Sequence, residues 1–116
     1  MSFSFEIETK KNTVIIRPVG SLIEKSQAEG MLKQVEDNIG KGLCLFILDF
    51  SRFDYMNSSG LGVFLTILTK TRSKDGEVII AHVNPKIKEL LIITKLVTVF
   101  KVCDTLDEAL AVLQNN

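Results

Sequence analysis

The sequence predicts an α/β fold: a mixed sheet of about five strands, an N-terminal hairpin followed by parallel strands, packed with four helices. Three observations predict it. Short β-branched or apolar runs alternate with segments of helical periodicity in the order β-β-α-β-α-β-α-β-α. Strands separated by helices pair in parallel through right-handed crossovers. The chain has 116 residues, 46% of them hydrophobic, which suits one domain over residues 1–116, with no linker, repeat or low-complexity stretch in between.

Each element has its own signal. Phe3, Phe5 and Ile7 alternate with Ser4, Glu6 and Glu8, the period of two of a half-buried strand. Lys10-Lys11-Asn12 is a polar turn, and Thr13 to Val19 carries the β-branched residues of a second strand, so the pair reads as an antiparallel hairpin. Pro18 stands near its end, where a missing N–H is tolerated. Ala28, Met31, Leu32, Val35 and Ile39 then fall at helical spacing, opened by a Ser26-x-x-Glu29 capping box and ended by Gly40 or Gly42. Leu43 to Leu48 is a continuous apolar run, the mark of a strand buried on both faces, and Asp49 closes it. Phe50 to Asn57 reads as a loop. Leu61, Phe64, Leu65 and Leu68 give a second helix ending near Ser73, and Asp75-Gly76 a turn. Val78 to Ala81 is another buried strand. Asn84-Pro85 caps and starts a third helix through Ile87, Leu90 and Leu91. Val99 to Val102 is the last strand, and Thr105 with Glu108 opens a terminal helix carrying Leu106, Ala109, Leu110 and Leu113.

Composition excludes several classes. Fourteen basic residues balance 14 acidic ones, for a formal net charge of zero, so the basic stripe of a nucleic-acid binder is missing. No apolar run approaches the ~20 residues that cross a bilayer. Met1 to Lys10 alternates and lacks the charged head and apolar block of a signal peptide. The expectation is a cytoplasmic protein that binds neither nucleic acid nor membrane, with a monomer as the default. Cys44 and Cys103 lie among apolar neighbours and read as two buried, reduced thiols, with a disulfide as the alternative. No metal-ligand spacing or glycine-rich phosphate loop occurs, so no metal or cofactor is expected.

The informative stretch is Asp49-Phe50-Ser51-Arg52-Phe53-Asp54-Tyr55-Met56-Asn57-Ser58-Ser59-Gly60-Leu61-Gly62. It follows a buried strand and opens a helix, where Ser58 or Ser59 is placed to serve as N-cap. Gly60 and Gly62 would let another backbone or a partner surface approach the first turn. Two glycines so early in a helix cost about 1 kcal/mol each relative to alanine, which a purely structural helix has little reason to accept twice. The plain alternative, a serine cap before an ordinary core helix, is common.

The stretch resembles the signature of the STAS family, and in particular of bacterial anti-sigma-factor antagonists: aspartate, a serine two positions on, then S-S-G-[LI]-G after a spacer. Gly20, Asn84-Pro85, Val99-Phe100 and Glu108-Ala109-Leu110 also fall where that family has similar residues, so the resemblance spans nearly the whole chain and implies a STAS-like fold. It implies a phosphorylation switch as well. Ser58 matches the serine phosphorylated by a partner that is both serine kinase and anti-sigma factor. The unphosphorylated form binds that partner and frees the sigma factor, the phosphorylated form releases it, and a serine phosphatase resets the system. Asp49, Ser51, Met56, Asn57, Ser59, Gly60, Gly62 and Thr66 would form the phosphorylation loop and partner-binding face, with Thr69 and Lys70 flanking it; Met56 fits either that face or the core. Two positions depart from the pattern. Asn57 stands where the family often has aspartate. Lys95 stands where it usually has glycine, and a left-handed backbone there would cost about 1–2 kcal/mol.

Three other readings compete with this one. A serine hydrolase needs an activating base, yet the only histidine, His82, ends a strand, and the G-x-S-x-G elbow is missing. A phospho-receiver domain needs an acidic pair after its first strand, where Val19-Gly20-Ser21 stands. A non-switching STAS accessory subunit, of a lipid-transport ATPase or a stressosome-like assembly, shares the fold and differs in partners.

Overall fold

The N-terminal hairpin forms as its alternation dictates. In the computed structural model, which describes residues 2–114, β1 (Phe3–Lys10) pairs antiparallel with β2 (Thr13–Leu22) in register Phe3 to Gly20 and Lys10 to Thr13. Lys11 turns the chain with a left-handed φ of 56°. The remaining elements are α1 (Glu29–Gly40), β3 (Leu45–Asp49), β4 (Phe53–Met56), α2 (Ser58–Arg72), β5 (Glu77–Ala81), α3 (Pro85–Ile93), β6 (Lys101–Cys103) and α4 (Leu106–Gln114). The sheet runs β1-β2-β3-β5-β6, and every pairing except the hairpin is parallel.

The sheet has six strands, one more than periodicity indicated, because part of the expected loop 50–57 is β4. Strand β2 is long enough to serve two partners in series. Thr13–Ile16 pairs with β3, and Gly20–Leu22 pairs with β4. The turn between β3 and β4 is held by Phe53 N–H donating to Phe50 O at 3.0 Å. Phe50, Phe53 and Phe64 pack as a cluster with ring centroids 4.9, 5.1 and 5.6 Å apart. Tilted and edge-on pairs of this kind contribute about 0.5–1.5 kcal/mol each beyond area burial. The short β4 is therefore fixed from its core side.

The central strands are buried on both faces, as their unbroken apolar runs require. Val14, Ile16, Phe46, Leu48, Val78 and Ile80 point to the face covered by α1, α2 and α3. Ile15, Ile47 and Ile79 point to the other, where α4 lays Ala109 and Leu113. Among the described residues no helix is long and apolar enough to cross a membrane.

Several boundaries differ from the sequence reading. Ser26 and Glu29 do not form the capping box. A 3-10 turn, Lys25–Ala28, precedes α1, and Gln27 Oε1 accepts the N–H groups of Ile23 and Glu24 at 2.9 and 3.0 Å. The capping box is thus set one turn earlier, between Glu24 and Gln27, and Ala28 stands at the N-cap of α1. The last strand is Lys101–Cys103, not Val99 to Val102, because α3 ends in a tight reversal that carries the chain to Phe100. There Leu96 N–H donates to Leu91 O at 2.8 Å and Lys95 N–H to Ile92 O at 3.0 Å, a Schellman closure. Lys95 holds the left-handed position with φ 62°, and Phe100 is driven into the core. Cys44 and Cys103 are free and only half-buried; burial is nonetheless the main cause pushing the Cys103 thiol above its usual value, with Glu108 adding to it. Thr105 Oγ1 does cap α4, accepting from Glu108 N–H at 3.1 Å.

Candidate functional site

The site begins where β4 gives way to α2. Asn57, rather than Ser58 or Ser59, is the N-cap: its Oδ1 accepts the Gly60 N–H at 3.0 Å, while its Nδ2 donates to Ile23 O at 3.0 Å. One amide thus closes the helix start and ties it to the segment after β2. A carboxylate could make the first bond and not the second, since it has no proton to give. The serines are displaced one step into the helix. Ser58 is its first residue, and both serines are exposed.

The two glycines of the turn are not equivalent. Gly60 is buried, and a Cβ there would run into the carbonyl oxygen of Leu22 and close on Met56. Its lack of a side chain serves packing within the domain, so it is not open to a visitor. Gly62 is the open one: nothing lies within 4 Å of the place its Cβ would take. Met56, expected to be partly exposed or else core, is 2% exposed and belongs to the core.

Asp49 faces inward. It is 4% exposed, and its carboxylate accepts the Ser51 N–H at 3.0 Å and the Arg17 Nε–H at 3.2 Å. Arg17 also donates to Glu8 at 2.8 Å, and that bond holds the Glu8 carboxyl below its ordinary value and the Arg17 guanidinium above its own. Asp49 therefore shapes the turn leading to β4, and Arg17, which sequence reasoning did not single out, is its counter-ion. Ser51 is exposed. Thr66 is half-buried and donates to Gly62 O at 2.9 Å; Thr69 does the same to Leu65 O. Lys70 pairs with Glu36 on α1 at 2.8 Å.

Ser58 opens onto a cleft of about 370 Å³ between the end of β4 and α3, whose walls include Tyr55, Lys86, Leu90 and Ile93. Tyr55 is 43% exposed and Ile93 is 68% exposed. Sequence reasoning missed this wall, although Ile92-Ile93 lengthens the apolar run of α3 beyond its core stripe. His82 faces a different cavity, with Ser51, Lys88, Cys103 and Asp104. It has a left-handed φ of 60°, and its Nε2 accepts the Leu106 N–H at 3.3 Å. The imidazole supports the start of α4, and the geometry does not bring it together with Ser58 as a base.

The family model described as the STAS domain matches residues 4–109. The anti-sigma F factor antagonist of Paenibacillus polymyxa is 29% identical over 115 residues, covering 98% of this chain and 97% of that one. The crystal structure of the Thermotoga maritima protein TM1081 superposes with a TM-score of 0.86 at 28% identity, over 95% of this chain and 94% of that one. SpoIIAA, an anti-sigma factor antagonist and Bacillus cell fate determinant, shares the fold at 24% identity. In its unphosphorylated form the TM-score is 0.76 over 97% of this chain and 100% of that one; in its phosphorylated form it is 0.75 over 95% and 99%.

Proposed function

The chain belongs to the STAS-domain family, and from that premise we propose that it is an anti-sigma-factor antagonist switched by phosphorylation of Ser58. One observation carries the reading: Ser58 is the exposed first residue of α2, a helix whose start is closed by a neutral amide. A serine kinase that is also the anti-sigma factor would bind the unmodified surface around Ser58, Ser59 and Gly62. In the transfer, the Ser58 oxygen bonds to the γ-phosphorus of a nucleoside triphosphate, the bond from that phosphorus to the diphosphate breaks, and the hydroxyl proton passes to a base of the kinase. A serine phosphatase reverses the state by hydrolysis. The role is regulatory binding rather than catalysis.

The physics supports a switch that acts at the surface. A phosphoserine adds about −1.5 to −2 charges at pH 7. The first turn of a helix favours an anion through its free N–H groups and dipole, so the domain keeps its fold. A partner packed close to Gly62 meets new bulk and charge. The near-equal likeness of this chain to the two forms of SpoIIAA is what a fold unchanged by phosphate would give.

The test is phosphorylation by the candidate kinase with ATP, mapped by mass spectrometry. Phosphate is expected on Ser58 and lost in Ser58→Ala. Ser58→Asp is expected to abolish partner binding with the melting temperature nearly unchanged. A phosphorylated protein that still binds the anti-sigma factor at unmodified strength would falsify the proposal. Recovery of a transport ATPase in place of a serine kinase would favour the accessory-subunit role.

A further inference from the structure

We propose that Lys86 is the phosphate-binding residue of the switched-off state, holding the Ser58 phosphate across the cleft between β4 and α3. The inference rests on Ser58 being the modified residue and adds how the modified form is held.

Ser58, at the start of α2, and Lys86, in the first turn of α3, line one cleft. The placement of Lys86 is fixed by its helix. Asn84 caps α3, accepting from Ile87 N–H at 2.9 Å, and its Nδ2 donates to Phe53 O and Asp54 O of β4 at 3.0 and 3.2 Å. The first turn of α3 is thus tied to the strand that delivers Ser58. Lys86 is exposed and joins no ion pair among the described residues, whereas Arg17, Arg52, Lys70 and Arg72 are each committed to a carboxylate.

An ammonium on a flexible four-carbon stem suits a phosphate placed by another element, because it needs no fixed approach angle. Glu89 lines the same cleft and is the one acidic side chain there. It disfavours a free anion in the cleft, but a covalently attached phosphate stays at high local concentration whatever its affinity. With the phosphate on Lys86, the dianion sits at the mouth of the apolar wall formed by Tyr55, Leu90 and Ile93. That wall is open in the unmodified protein and closed in the modified one.

Phosphoserine is installed at position 58 by genetic encoding, so the measurement needs no kinase. The phosphate resonance is then followed by ³¹P NMR as pH is raised through the second phosphate ionisation, near about 6. A neighbouring cation favours the dianion and lowers this value. Lys86→Gln is expected to raise it by about 0.3–1 unit, and Lys86→Arg to leave it close to wild type. Lys88→Gln removes the same charge from α3 beside the other cavity and is expected to leave it unchanged. A Lys86→Gln titration that overlays wild type, or a Lys88→Gln shift of equal size, overturns the proposal. Binding of the same phosphorylated protein to the anti-sigma factor is scored separately. Retained binding counts against the switch while the titration still decides the role of Lys86.

Discussion

A single amide decides what the first turn of α2 can do. Asn57 both accepts from Gly60 N–H and donates to Ile23 O, so the helix start is neutral and anchored. The two glycines beyond it differ in what a side chain would meet. Gly60→Ala drives a methyl into the Leu22 carbonyl, and an overpacked backbone contact of this kind costs about 1–3 kcal/mol. Gly62→Ala meets nothing and gains up to about 1 kcal/mol of helix propensity. Urea denaturation should therefore show the first variant destabilised and the second at or above wild type. Affinity for the anti-sigma factor should fall for Gly62→Ala despite its intact fold. Ser58 and Gly62 were legible in sequence, because a serine and a glycine at a helix start have local consequences. The burial of Gly60 was not, because it depends on Leu22, a partner more than thirty residues away in the chain, and the same distant contact decides between the two places open to Met56.

Among the elements, α3 is the best defined by its sequence at one end and the least at the other. Asn84-Pro85 set its start as expected. Its end is closed by Lys95 at φ 62°, a position where glycine fits without strain. Lys95→Gly removes that strain, worth about 1–2 kcal/mol, against a smaller loss from the freer unfolded chain. A rise in melting temperature of a few degrees is expected by calorimetry, with partner binding unaffected. Strand β4 escaped the sequence reading for a related reason. Its burial runs buried, exposed, exposed, buried, so neither an alternating nor a continuous pattern marks it, and only pairing with the far end of β2 makes it a strand. The displaced start of α1 shows a capping motif overridden by its neighbour: a 3-10 turn, Lys25–Ala28, fills the place of the expected cap, and Gln27 caps that turn by accepting from Ile23 and Glu24.

Across the whole molecule, the sheet separates the larger core, on the side of the Ser58 cleft, from the smaller one beneath α4. Helices α1, α2 and α3 share one face with the Ser58 cleft, and α4 alone covers the other through Ala109 and Leu113. Leu113→Ala should cost about 2–5 kcal/mol by leaving a cavity against Ile15, Ile47 and Ile79. The rate of Ser58 phosphorylation per folded molecule should not change, as measured by initial rates at a temperature where the variant is folded. An equal drop in both would mean that the two faces are coupled. The alternation of strands and helices was readable because each central strand is apolar throughout. Which helix lies on which face was not, since parallel strands with both sides buried carry no polar side to orient them.

The aromatic cluster beneath β4 has a bearing on whatever enzyme visits Ser58. With Phe50, Phe53 and Phe64 packed ring on ring, the hydroxyl cannot be drawn out as a limp strand and threaded through a groove. It is offered on a coil already wound, like a stud on a rigid plate. An enzyme built to grip unravelled peptides finds no handle; one that modifies this residue must carry a mould of the folded relief around it.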